Sequence, residues 1–229
     1  LATALGLLGY YIIFPLIFPV KQAVVQTPPE AQLPAVEEPV IVHQSLLIIP
    51  AEQTQNISLP TVDLIGIKNA LLGEASSALP SGSLKEIVFV DSLGSAVKST
   101  DVFSALIPEL SKDSLGPSLN DNFSALLYFD ANGVWPMYIF RLKDGAIMTS
   151  VQNLMTQAIE SSIALKNLFL RDPGAITAGF KNGNANGKVT RYNVFTVKGA
   201  SIDYGWFGDY FVLGTSYDGF KEAVRRLGF

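Results

Sequence analysis

Ser95 and Lys98 stand in the S-x-x-K spacing, in which one helical turn lets a lysine amine take the proton from a serine hydroxyl. The partner motifs S-D-N and K-T-G are missing, and a chain of this composition carries about one such match by chance. Ser216 lies in GTSYDG, close to a nucleophile elbow, but the second glycine falls one residue late for G-x-S-x-G. A helix N-cap explains Ser216 better, with Asp218 favouring the helix's positive end. The oxygen-rich residues Asp130, Asn132, Asn182, Asn184 and Asn186 lack the spacing and distal Glu of an EF-hand, so they read as turn chemistry. No catalytic residue, metal ligand or cofactor is therefore assigned, and the expectation is a protein that is not an enzyme.

Composition narrows the chemistry further. Among 229 residues there is no Cys and a single His, His43, which removes thiolate chemistry and leaves little for imidazole ligation. The net charge of -4 argues against a phosphate-backbone binder, so no nucleic-acid partner is expected. Hydrophobic residues reach 48% while only 16% are charged, and mean hydropathy is +0.32. Some apolar sequence should face lipid or a partner. Two sequons, at Asn56 and Asn122, matter only in a glycosylating host.

One cluster is a candidate partner surface: Tyr204, Trp206, Phe207 and Tyr210, in a stretch that also holds Tyr192, Phe195 and Phe211. Strand alternation cannot point adjacent pairs such as Trp206 and Phe207 the same way. Some of these rings should be core and others exposed.

The elements that would carry these residues read as an α+β domain, a mainly antiparallel sheet with helices packed on one face. Ser45–Ile49 and Asn56–Leu59 are short extended candidates, and Val62–Leu72 has helical spacing with Thr61 as its cap. Leu84–Asp91 reads as a strand and Val102–Leu110 as a short helix. Phe123–Phe129 and Val134–Leu142 flank an Asp-Ala-Asn-Gly turn and predict a hairpin. A helical stretch, Ala146–Leu170, follows, broken near Ser161. The Asn/Gly-rich 180–188 segment reads as a tight connection into Val189–Val197. Strands Ser201–Trp206 and Tyr210–Thr215 then lead to an amphipathic helix, Tyr217–Leu227. Strand-strand-helix thus recurs at 123–170 and 189–228. We expect subdomains at 43–118 and 119–229, which either stand apart or share one sheet.

Residues 1–20 carry no charge and, as a helix, match the thickness of a bilayer's hydrocarbon core of about 30 Å. Residues 1–25 are read as a transmembrane helix, with Tyr10, Tyr11, Ile12, Ile13, Phe14 and Lys21 as membrane-anchoring positions. Pro15 and Pro19 predict a kink or stop near Phe14. A Pro-rich spacer occupies 26–42; Pro28, Pro29, Pro34 and Pro39 favour polyproline II, and 26–39 would extend about 43 Å. Its acidic character fits poorly beside an anionic cytoplasmic leaflet, so the globular part is expected on the outer face.

The C-terminal stretch TRYNVFTVKGASIDYGWFGDYFVLGTSYDGFKEAVRRL resembles the ends of an uncharacterised family of membrane-anchored extracytoplasmic bacterial proteins. The likeness covers mainly residues 120–229 and its motifs are structural, so it implies placement and no activity. The leading expectation is a non-enzymatic, membrane-anchored extracytoplasmic binding or assembly domain of the bacterial cell envelope. Its partners would be the bilayer, through residues 1–20, and other envelope proteins or copies of itself. One alternative is a pilin-like filament subunit packing through the apolar segment, although the acidic residue pilins carry there is missing. Another is a serine-dependent envelope hydrolase using Ser95 or Ser216.

Overall fold

The computed structural model describes residues 41–229, all of which belong to one compact unit. The membrane-anchoring positions Tyr10 to Phe14 and Lys21, and all but the end of the spacer, lie outside the described residues. Among the described residues no helix is long and apolar enough to cross a membrane.

The strands are β1 (Gln53–Ser58), β2 (Leu84–Val90), β3 (Leu119–Asp130), β4 (Gly133–Leu142), β5 (Lys181–Ala185), β6 (Lys188–Val194), β7 (Ser201–Phe207) and β8 (Tyr210–Gly214). The helices are α1 (Leu64–Ala75), α2 (Ser99–Leu106), α3 (Lys112–Leu115), α4 (Met148–Ser161) and α5 (Tyr217–Arg226), with a 3-10 turn at Leu165–Leu168. All eight strands form one sheet in the order β1-β2-β3-β4-β8-β7-β6-β5, so segments 43–118 and 119–229 share it. Only β1 and β2 run parallel, as expected where a helix, α1, connects two neighbouring strands. Every other pair is antiparallel.

Helices cover both faces of the sheet, not one. On the first face, α1, α2 and α4 pack over Ile87, Phe89, Tyr138, Phe140, Phe211 and Leu213. On the second, α5 covers Met137, Ile139, Phe207 and Val212 with Phe220, Ala223, Val224 and Leu227. The reason lies in the central strands. Residues 135–140 of β4 and 211–214 of β8 are buried without interruption, so both faces are apolar and each needs a cover. A single layer of helices would have left Met137, Ile139 and Val212 in water. The two hairpin-then-helix units are therefore no repeat, because α4 and α5 lie on opposite sides.

Stacked rings fill the first face: Phe103 and Phe140 lie 4.4 Å apart at 11°, and Phe123 stacks on Phe140 at 5.7 Å. Each buried ring contributes roughly 1.5–3 kcal/mol through lost apolar exposure. The second face has a different solution. Gly214 and Gly219 let α5 approach closely, for a Cβ at Gly214 would come 3.0 Å from that of Phe220. One at Gly219 would come 2.9 Å from Met137 Sδ.

Beside α5 an extended strap, residues 41–51, crosses the same face in place of the predicted strand Ser45–Ile49. Ser124 Oγ accepts from Leu46 N at 3.0 Å, and Arg226 O accepts from Ile48 N and Ile49 N. The Arg226 guanidinium donates to Pro50 O and Glu52, tying strap to helix.

Candidate functional site

Where α5 ends its cover, the second face of β5, β6 and β7 lies open as a groove of about 450 Å³. Register decides its floor. Thr190 pairs with Gly205, Tyr192 with Asp203 and Val194 with Ser201, so these side chains project together. Gly183 on β5 and Tyr217, the first residue of α5, line it as well. The glycines leave room: a Cβ on Gly205 would meet Thr190 Cγ2 at 2.9 Å, and one on Gly183 would meet Thr190 Oγ1 at 2.8 Å.

Among the described residues Asp203 is the only charged one in this lining, and it is 4% exposed. Ser201 Oγ donates to its Oδ2, and no described residue donates to Oδ1. Burial raises its pKa to about 6, against the Ser201 hydrogen bond, and the nearby negative charge of Asp218 pushes the same way. At neutral pH it is therefore mainly ionised, buried, and without a cation at ion-pair distance among the described residues. Such a group costs free energy, which a cationic ligand would offset.

The turn beside the groove corrects the 180–188 reading. That segment holds a whole strand, β5, and only Asn186 and Gly187 make the turn, with φ of 49° and 76°. Positive φ at both central positions matches the twist of a two-residue hairpin.

The candidate aromatic surface does not stay together. Tyr204 (2% exposed) and Trp206 lie on the first face against Phe211, and the Tyr204 hydroxyl donates to Glu160 at 2.6 Å. Phe207 (0%) and Tyr210 lie on the second face beside Phe229. Trp206 and Tyr210 are half-buried, so the four make no single exposed patch.

The serine motifs take structural roles. Ser95 sits in a loop while Lys98 holds the residue position before α2, its amine 3.9 Å from Asp121, so the pair does not share a helical turn. Ser216 caps α5, accepting from Gly219 N at 3.2 Å. The Asp130 carboxylate accepts from Asn132 N and Gly133 N, closing the β3–β4 turn. Among the described residues no group of acidic or His side chains could hold a metal.

His43, Glu86 and Ser124 do meet, though not as a relay. Ser124 Oγ donates to Glu86 Oε1 at 2.6 Å, and His43 Nε2 lies 3.2 Å from the same oxygen. Serine and histidine thus share a carboxylate instead of contacting each other. Burial opposes the Glu86 charge, but these hydrogen bonds outweigh it and hold its pKa below the usual range.

A second cavity of about 360 Å³ lies among α1, the β3–β4 turn and residues 169–173. Trp135, Phe169 and Val134 line it, and no buried charged side chain faces it. Its unpartnered polar group among the described residues is the Trp135 indole N–H, where the groove has the Asp203 carboxylate.

Asp203 could have been noticed from sequence. An acidic residue between Ile202 and Tyr204, with Ser201 two positions before it, is unusual in a strand interior. No family model, curated protein or solved structure is significantly similar to this chain.

Proposed function

We propose that this chain is a non-enzymatic, membrane-anchored extracytoplasmic binding domain of the bacterial cell envelope, and that it binds through the groove over β5–β7. The observation that carries the binding part is the Asp203 carboxylate, buried and with no cation paired to it among the described residues, at the floor of an open cavity. A folded domain gains nothing in stability from such a group, so ligand recognition is its better explanation. The anchoring part rests on the uncharged residues 1–20 and the Pro-rich spacer that follows them. The resemblance of the C-terminal part, mainly residues 120–229, to envelope proteins supports the outer face.

The test expresses the full chain in a bacterial host and compares it with a chain starting at Val40. Under this reading the full chain stays with the membrane until detergent is added, and protease reaches its domain from outside. The shorter chain partitions into buffer. Cross-linking then compares the wild type with Val194→Arg, which places a guanidinium at the groove rim. Adducts formed by the wild type should fade in the variant. A full chain that is water-soluble without detergent overturns the anchoring part, and filaments seen by electron microscopy would favour the pilin-like alternative.

A further inference from the structure

We propose that the groove over β5–β7 receives a primary alkylammonium group, seated against Asp203; this rests on the binding role proposed above. Among the described residues Ser201 donates to one oxygen of the carboxylate and none donates to Oδ1, so a ligand meets a single free acceptor. A guanidinium fork is best matched by two free oxygens, whereas an ammonium is a point charge with three donors. Thr190 and Ser201 add hydroxyl oxygens to the floor, which can accept the remaining ammonium hydrogens. The Tyr192 and Tyr217 rings in the same lining supply aromatic faces of the kind that attract cations. Among the described residues the other charge felt at Asp203 is Asp218, also negative, so the local field favours a cation and disfavours an anion.

Two sources share this chemistry: a lysine side chain of a peptide, and a small free amine. The experiment uses the full chain in detergent micelles and titrates three probes by calorimetry. These are Nα-acetyl-lysine methylamide, n-butylammonium, and the Nα,Nε-diacetyl-lysine methylamide that lacks the charge. Saturable binding of at least one amine is expected, with the diacetylated probe weaker by about tenfold or more. Binding by the lysine derivative alone identifies a peptide source, and equal binding of both amines identifies a free amine as sufficient. Asp203→Asn should weaken the amine about tenfold or more, since the Asn keeps the shape and loses the charge. Should that variant not fold, Val194→Arg is expected to block the same binding.

Three results overturn the inference: no saturable amine binding, equal binding of the diacetylated probe, or wild-type affinity in Asp203→Asn. If adducts still depend on Val194 while amines fail to bind, the binding role stands and the ammonium assignment falls.

Discussion

Ser201 Oγ donates to the carboxylate of Asp203 two residues further along β7, and that hydroxyl is the one hydrogen-bond donor the carboxylate has among the described residues. A single neutral donor does not offset the loss of solvation, and the pKa accordingly rises to about 6. The folded state then binds a proton more tightly than the unfolded chain. Stability contributed by this group is therefore highest in acid and is lost as pH rises from about 4 to about 6. Above that window ionised Asp203 destabilises the fold by at most about 3 kcal/mol. Asp203→Asn should gain stability over the wild type at about pH 7.5, keep roughly half of that advantage near pH 5 and lose it by about pH 4. Both tryptophans, Trp135 and Trp206, lie in the domain, so urea unfolding of the full chain followed by fluorescence reads it. A difference between the two proteins that does not change with pH would refute the assignment.

Glu160 gives the opposite sign. Arg191 donates to it through Nε and an Nη at 2.6 and 2.7 Å, and Tyr204 donates at 2.6 Å. Those bonds, Arg191 first, hold its pKa below the usual carboxylate range despite partial burial. This group adds stability above its unfolded pKa and loses it as pH falls through the lower folded value. The clamp joins α4 to β6 and β7. Glu160→Gln should cost about 1–2 kcal/mol at neutral pH, because one geometry serves two donors but remains partly open to water. Urea midpoints of wild type and variant should converge as pH is lowered past the carboxylate range.

The strong local signals survived folding, and the failures share a physical origin. The β3–β4 hairpin and α5 follow from an Asp-to-Gly turn and a serine cap, both satisfied within a few residues. Strand β5 was hidden because Lys181-Asn-Gly-Asn-Ala185 has poor strand propensity and is held by pairing with β6. Helix placement failed for a related reason. Continuous apolar runs such as Val134–Phe140 do not say which face needs cover, and both did. Asp203 stands out in the sequence as an acidic residue within a strand, but its setting depends on Tyr192 and Thr190, brought beside it only by strand register.

Ser124 is buried completely, and its hydroxyl both donates to Glu86 and accepts from Leu46 N. Ser124→Ala removes a donor from a buried carboxylate and orphans a strap amide. The expected cost is about 1–3 kcal/mol. Because the strap's other ties, to Glu86, Ala96, Asn122 and Arg226, remain in place, the loss should show locally first. Limited proteolysis should cut residues 43–49 faster in the variant, while α4 stays protected. Unchanged cleavage in the strap would mean that its remaining ties hold it without Ser124.

Two helix glycines should respond to alanine with opposite signs. Gly73, in α1, has nothing within 4 Å of an added Cβ. There the substitution removes only conformational freedom from the unfolded chain, and Gly73→Ala should stabilise by about 0.5–1 kcal/mol. Gly219, in α5, would place its Cβ 2.8 Å from Ser216 Oγ, 2.9 Å from Met137 Sδ and 3.0 Å from Tyr128 Cβ. Alanine there must push α5 off the sheet or displace its cap, at about 1–3 kcal/mol. Tyr217, at the start of the same helix, lines the groove and would shift with it. Gly219→Ala should therefore lower the urea midpoint and weaken amine binding together, whereas Gly73→Ala raises the midpoint and leaves binding unchanged. A Gly219→Ala protein as stable as wild type would show that α5 is not seated by this close approach.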